Sequence, residues 1–408
     1  WPLMRTVLLI LIFVLHARIH AQWSFSGNTT LTWEVVIERY EDLAQQRSGA
    51  KLMTIGQDDD GSPIHLFIVS DGSGFTPDSI RAAGKNILWI TNGIHPGEPD
   101  GIDASLLLAQ ALLDSDQYMG LLSNTAVCIV PVYNVSGAKN RSSTSRANQN
   151  GPEEYGFRGN ARNLDLNRDL IKADSRNTRT LLSALSDWDP DVYFETHVSN
   201  GADHQFVMEL LTTHPDKLDP ALSGFLQETM IPRQEEWMEQ HGVLMCPYFE
   251  TVGRTPEDGL TSFVDGPRYS TGHAALRNRI GVLSESHMLK PYADRVNATF
   301  QLMLATMAAM NENPEALALA RIQAFNTTIK AKTFDFNWTL DTTRKEVLPW
   351  LGYKTVESKS EVSGLLRINY DHDQPTSVEV PWTAHAIPVF TLEKPVRYLI
   401  PHAWTDVI

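Results

Sequence analysis

The stretch KNILWITNGIHPGEPDGIDASLLLAQALLD, residues 85–114, passes from one kind of periodicity to another without a break. NILWIT is a short apolar run rich in β-branched and aromatic residues, the composition of a buried strand. GIDASLLLAQALLD repeats its apolar positions at helical spacing. Between them His95 and Glu98 stand in a glycine- and proline-rich segment that fits neither a helix interior nor a strand interior. A strand, a turn and a helix in this order are the unit of an α/β sheet. In such sheets ligands bind outside the carboxyl ends of the strands, which is where His95 and Glu98 fall.

The same alternation continues on both sides. LTWEVVIERYEDLAQQ has helical spacing, PIHLFIVSD and TAVCIVPVYN read as strands, and PDVYFETHVS and RNRIGVLSES as further strands. DPALSGFLQETMIPRQEEWMEQHG is expected to be helical except at Pro232, and a helix from about Tyr292 should break at Asn313-Pro314 and resume to about Lys332. Residues 137–163 have little apolar content and form a long loop, of the kind that is usually functional. The result is an α/β sheet covered on both faces. Beyond residue 333 the texture shifts to short strand-like runs, TFDFNWTL, LLRINYDH, TSVEVPW and IPVFTLEKPVRYLIP. Residues 23–312 are therefore expected to form the main domain. Residues 313–408 would add a helix and a β-rich region, which ends at HAWTDVI without a closing strand and is expected to continue.

Composition narrows the function. The net charge of -15 over 408 residues argues against a nucleic-acid partner, which requires basic surface. Two cysteines, Cys128 and Cys246, exclude a disulfide scaffold and a cysteine-built metal site. Residues 1–22 read as an export signal with Met4 as the initiator: Arg5 precedes an apolar run from Val7 to Leu15, and Ala21 offers a small residue for cleavage. The run is too short to span a bilayer. The mature chain is expected in the periplasm or outside the cell, without stable membrane insertion.

A catalytic zinc takes three protein ligands and leaves a position for water. His95 and Glu98 supply two, and a third must come from another strand end. His197 in DVYFETHVSNGAD is placed for it, with His204 as the competitor. In NARNLDLNRD, Asp165 suits a carboxylate that orients a metal-bound histidine. Asn167 and Arg168 suit a grip on a carboxylate by paired hydrogen bonds. Glu285 ends an apolar strand, where a carboxylate is expensive unless paired or functional. Either it or His287 could act as the base on a metal-activated water.

The ordered set HPGE, NARNLDLNRD, FETH and LSESH resembles the zinc carboxypeptidase family, the carboxypeptidase A-like metallopeptidases, over about residues 30–310. The resemblance implies a mixed β-sheet flanked by helices and a hydrolase that removes C-terminal residues from peptides through a single zinc ion and its bound water. It implies His95, Glu98 and His197 as zinc ligands and Asp165 as the orienting carboxylate. It further implies Asn167 and Arg168 as the holders of the substrate carboxylate, and Glu285 as the base in preference to His287. For the arginine that stabilises the oxyanion, Arg162 is the expected residue, with Arg158 as the alternative. Tyr269 in GPRYSTGH is the candidate for the tyrosine that closes over substrate. One departure is Asp169, where the family has Asn; an acid beside Arg168 would compete with an anionic substrate. Related readings are an exported zinc amidase or deacylase acting on cell-wall peptides or acyl-amino acids, and a non-catalytic binding relative of the fold.

Overall fold

The computed structural model describes residues 23–404, so the expected export signal lies outside the described residues. A helix α1 (Trp33–Gln46) leads into β1 (Ala50–Gln57) and β2 (Pro63–Val69), followed by β3 (Asn86–Thr91), α2 (Asp100–Asp114) and β4 (Thr125–Val130). After the long loop come α3 (Arg176–Trp188), β5 (Val192–Ser199), β6 (Met208–Thr212), α4 (Ile231–Gln240) and β7 (Met245–Pro247). Two short strands, β8 (Glu250–Thr251) and β9 (Leu260–Thr261), precede β10 (Ile280–His287), α5 (Tyr292–Glu312) and α6 (Pro314–Lys330).

The main sheet has eight strands in the order β1-β2-β4-β3-β5-β10-β6-β7. The central strands β4, β3, β5 and β10 run parallel, while β1, β2 and β6 add antiparallel pairings. It is a mixed sheet flanked by helices. Every residue of β3, β4 and β5 is buried, as expected of parallel strands covered on both faces. Leu88, Ile90, Val127 and Ile129 pack on one side under α2 and α5; Ile87, Trp89, Ala126 and Val130 pack on the other with α3. Cys128 is buried in that second layer.

Two expectations need adjustment. Pro232 does not interrupt its helix: it falls in the first turn of α4, directly after a π-turn at Leu226–Met230 that joins α4 to the helix before it and departs from the regular ladder where the proline lacks an N–H. The strands β1 and β6 to β9 were not expected at all. Their residues mix apolar and polar side chains without a clean period. The break at Asn313 falls where proposed, with the Asn313 side chain accepting from the Ala316 N–H at 3.2 Å.

The C-terminal region is strand-rich. It contains β11 (Thr333–Leu340), β12 (Glu346–Lys359), β13 (Leu366–Thr383) and β14 (Ala386–Glu393). Strands β11 and β14 pair with each other, whereas the β12-β13 hairpin joins β9 and β8 in a second sheet. Trp350, Val380 and Trp382 form a small separate core with Phe206, Cys246 and Leu260. Among the described residues no helix is long and apolar enough to cross a membrane.

Candidate active site

His95 and Glu98 occupy the turn between β3 and α2. The Glu98 N–H donates to the His95 carbonyl at 2.8 Å, and the Gly156 N–H donates to the Pro96 carbonyl at 3.0 Å, so the turn is fixed from within and from the long loop. Gly101 lets α2 rest on β5: a Cβ there would lie 2.0 Å from Thr196 Oγ1. That close approach brings the turn beside His197 on β5.

Glu98 sits between the two imidazoles. Its Oε2 is 3.0 Å from His197 Nδ1 and its Oε1 is 3.3 Å from His95 Nδ1. The far nitrogens are held by carboxylates: His95 Nε2 by Asp165 at 2.9 Å, and His197 Nε2 by Glu195 at 3.1 Å. An imidazole that donates Nε2–H to a carboxylate keeps its lone pair on Nδ1. Both lone pairs therefore face Glu98, and the three donor atoms lie within 4.8 Å of one another. His95 Nδ1 is buried without a hydrogen-bond partner. Burial opposes ionisation of Glu98, but without a metal, when the imidazoles are protonated instead, the charges of His95 and Arg146 and the hydrogen bond from His197 hold it well below the usual carboxylate range. Asp165 is likewise depressed, against its burial, by His95 and Arg158.

Glu285 pairs in register with His197 across the parallel β5-β10 ladder and faces the same cleft, whose volume is about 310 Å³. Burial pushes its carboxyl up to about 8; His197 opposes the shift, and Glu98 and Glu209 add to it. Asn167, Arg168 and Tyr269 line this cleft, as do Tyr248 and Phe263. The Arg168 guanidinium lies 4.6 Å from the centre of the Tyr269 ring. Asn167 Oδ1 is buried with no partner.

Arg162 is not in the cleft. Its guanidinium donates to the Asp174 carbonyl at 3.1 Å and lies 3.9 Å from Asp59, which turns it to the outside of the loop. Two other arginines face inward. Arg158 is held by Asp165 at 3.0 Å through Nε and through Nη2, and its Nη1 reaches into the cleft 3.5 Å from Glu98 Oε1. Arg146 donates to Glu98 at 2.6 Å, to the Val198 carbonyl at 3.0 Å and to Gln149 at 2.9 Å. Asp169 does not oppose Arg168: its carboxylate accepts from the N–H groups of Asp174 and Ser175 and from the Ser175 hydroxyl, at 2.9, 3.0 and 2.7 Å. His204 and His287 stand apart from the His95–Glu98–His197 set, against Glu209.

Glu195 and Arg146 escaped the sequence reading. Glu195 had a signal, since it stands two residues before His197 and so shares its face of the strand. Arg146 had none, because nothing local aims a loop side chain. A third unanticipated group is Arg295 on α5, which is completely buried. It pairs with Asp100 at 3.2 Å and donates to the carbonyls of Asn150, Gly151, Met288 and Lys290. Ser286, next to Glu285, donates to the same Asp100 at 2.7 Å. One side chain thus ties together the segment after Glu98, the long loop and the end of β10.

Residues 37–203 match the sequence profile of a family described as zinc carboxypeptidase. Over these residues the chain is similar to the zinc carboxypeptidases. No curated protein matches it in sequence. In fold it is similar to a metallo-carboxypeptidase from Burkholderia cenocepacia, at 16% identity over 69% of this chain and 70% of that one, with a TM-score of 0.52. A Pseudomonas aeruginosa metallo-carboxypeptidase in complex with (2-guanidinoethylmercapto)succinic acid aligns over 69% of this chain and 68% of that one, at 16% identity and a TM-score of 0.50. Carboxypeptidase A from Helicoverpa armigera aligns over 74% and 76%, at 14% identity and a TM-score of 0.50. The family profile supports a zinc hydrolase, and the solved structures show the shared fold. Zinc is the metal of the family, and a buried His₂Glu set with one nitrogen left bare is chemically fit to take it. The β-rich C-terminal region is additional to this fold.

Proposed function

We propose that the chain is a metallocarboxypeptidase that hydrolyses the C-terminal peptide bond of peptides. The observation that carries the reading is the meeting, in one cleft, of a His₂Glu donor set, a carboxylate with a raised pKa and a paired Asn and Arg. His95, Glu98 and His197 would hold one zinc ion, which supplies a Lewis acid for the scissile carbonyl and lowers the pKa of water. Glu285 takes a proton from the attacking water and delivers it to the leaving amine, a role that a raised carboxyl pKa suits. Arg168, steadied on the Tyr269 ring, grips the terminal carboxylate with Asn167 beside it. Arg158 stabilises the developing oxyanion, because Asp165 fixes its plane and Nη1 is turned into the cleft, with only a long 3.5 Å contact to Glu98. Arg146 is committed to Glu98 and serves to orient that ligand. The apolar run at Val7 to Leu15 supports export.

The test uses zinc-loaded wild type and Glu285→Gln on peptides offered with free and with amidated C-termini, read by mass spectrometry. Loss of single C-terminal residues from the free acids alone, reduced about 10²- to 10⁴-fold in the variant, is the expected result. Equal cleavage of amidated peptides would remove Arg168 from its role. No cleavage of either form would favour cell-wall peptides or acyl-amino acids as substrates, or binding without catalysis.

A further inference from the structure

A second cluster lies on the far side of β10 from His197. Glu209 on β6 is the antiparallel ladder partner of Glu285 and is buried. Its Oε1 lies 3.0 Å from His204 Nε2, 3.3 Å from His287 Nδ1 and 2.6 Å from the Ser199 hydroxyl. Ser199 Oγ is also 3.2 Å from His287 Nδ1. The two imidazoles are completely buried, with ring centres 4.2 Å apart. Phe206, Phe249 and Trp350 close around His204.

Three features separate this cluster from an ordinary buried hydrogen-bond network. Its donors and spacings repeat those of the catalytic set, where Glu98 likewise stands 3.0 and 3.3 Å from two imidazole nitrogens. About 3.3 Å is the edge of a tetrahedron whose bonds are roughly 2.0 Å, the length of zinc bonds to His and carboxylate. Three donors also crowd a single oxygen, Glu209 Oε1, although such an oxygen has only about two lone-pair sites. Finally, one ligand atom from each of His204, Glu209 and His287 converges within 4.8 Å of the others, the outer nitrogens His204 Nδ1 and His287 Nε2 lying on the far side of each ring.

We propose that His204, Glu209 and His287 form a second divalent-cation site of the zinc class, with the Ser199 hydroxyl oxygen facing the same point. The site is enclosed, so its role is structural. His204 follows β5, Glu209 lies on β6 and His287 ends β10, while Trp350 of the β-rich region packs edge-on against His204 at 5.3 Å. A cation there fixes the strand that bears Glu285 to the C-terminal region.

The test counts metal in the full chain after dialysis against micromolar free zinc, by mass spectrometry of the metal. Wild type should hold two zinc ions and the double variant His95→Ala, Glu98→Gln should hold one. Adding Glu209→Gln to that double variant should bring the count to zero. One zinc in wild type and none in the double variant would overturn the second site and leave the catalytic reading intact. A zinc that survives Glu209→Gln would overturn it too, by lying elsewhere. Far-ultraviolet circular dichroism checks that the triple variant folds, and His204→Phe replaces Glu209→Gln if it does not.

Discussion

At Arg158, Arg146 and Arg162 the same side chain is anchored in three different ways, and the tasks proposed for them differ accordingly. Arg158→Ala should lower kcat about 10²- to 10³-fold, the usual effect of removing an oxyanion donor, with zinc content unchanged. Arg146→Ala should instead weaken zinc binding roughly 10- to 100-fold, as loss of a group that orients a metal ligand does. Arg162→Ala should leave both within about twofold, since surface changes of this kind are usually neutral. Steady-state kinetics on a free-acid peptide together with metal titration separate the three. Much of this site was legible in the chain. His95, Glu98, His197 and Glu285 all sit at strand ends, where the backbone dictates direction. The arginines were not legible, because in a loop of this length direction comes from partners distant in sequence, such as Asp174 for Arg162. Asp169 shows the same limit: its neighbour in sequence is Arg168, but its partners are Asp174 and Ser175.

Among the elements, β3 and α2 were readable because each carries one unambiguous period. Strand β6 was not, because Met208 and Leu210 pack in the core while Glu209 between them is buried against His204 and His287. The junction of α2 and α5 is held by charge. Arg295→Met leaves the buried Asp100 unpaired and should destabilise the fold by about 3–5 kcal/mol in urea unfolding. Arg295→Lys should not restore it, since a lysine lacks the planar fork that reaches five acceptors at once. One turn along α2, burial pushes the Asp103 carboxyl up to about 6, with hydrogen bonds from Tyr292 and Thr30 opposing. The unfolded chain ionises that group near 3.8. Between these values the folded protein keeps a proton that the unfolded chain has lost. Asp103's contribution is therefore complete below about 3.8 and declines as pH rises to about 6, by about 3 kcal/mol in all. Asp103→Asn should remove that decline. Unfolding free energies of wild type and variant, measured from pH 4 to 7, should diverge below pH 6 and run parallel above it; parallel curves throughout would sink the assignment.

On the scale of the whole molecule, the surprise is how the β-rich region is attached. Composition marked where it begins but could not show that its hairpin would pair with β9, a strand of two residues with no periodicity to read. Trp350 is buried in the core shared by the two regions. Trp350→Ala should cost about 3–5 kcal/mol, as loss of a large core aromatic does, and thermal unfolding should remain a single transition. Two separate transitions would mean that the regions fold independently.

The pairing of Trp382 with Leu260 and of Thr383 with Thr261 has a mechanical corollary. Sequence order and physical attachment are different things here: α6 and its link to β11 are only the thread, while the seam is the backbone ladder and the aromatic layer beneath it. A chain nicked between Ala331 and Lys332 is severed as a polymer yet remains one particle, its halves stitched together across a joint that no cut in the thread reaches.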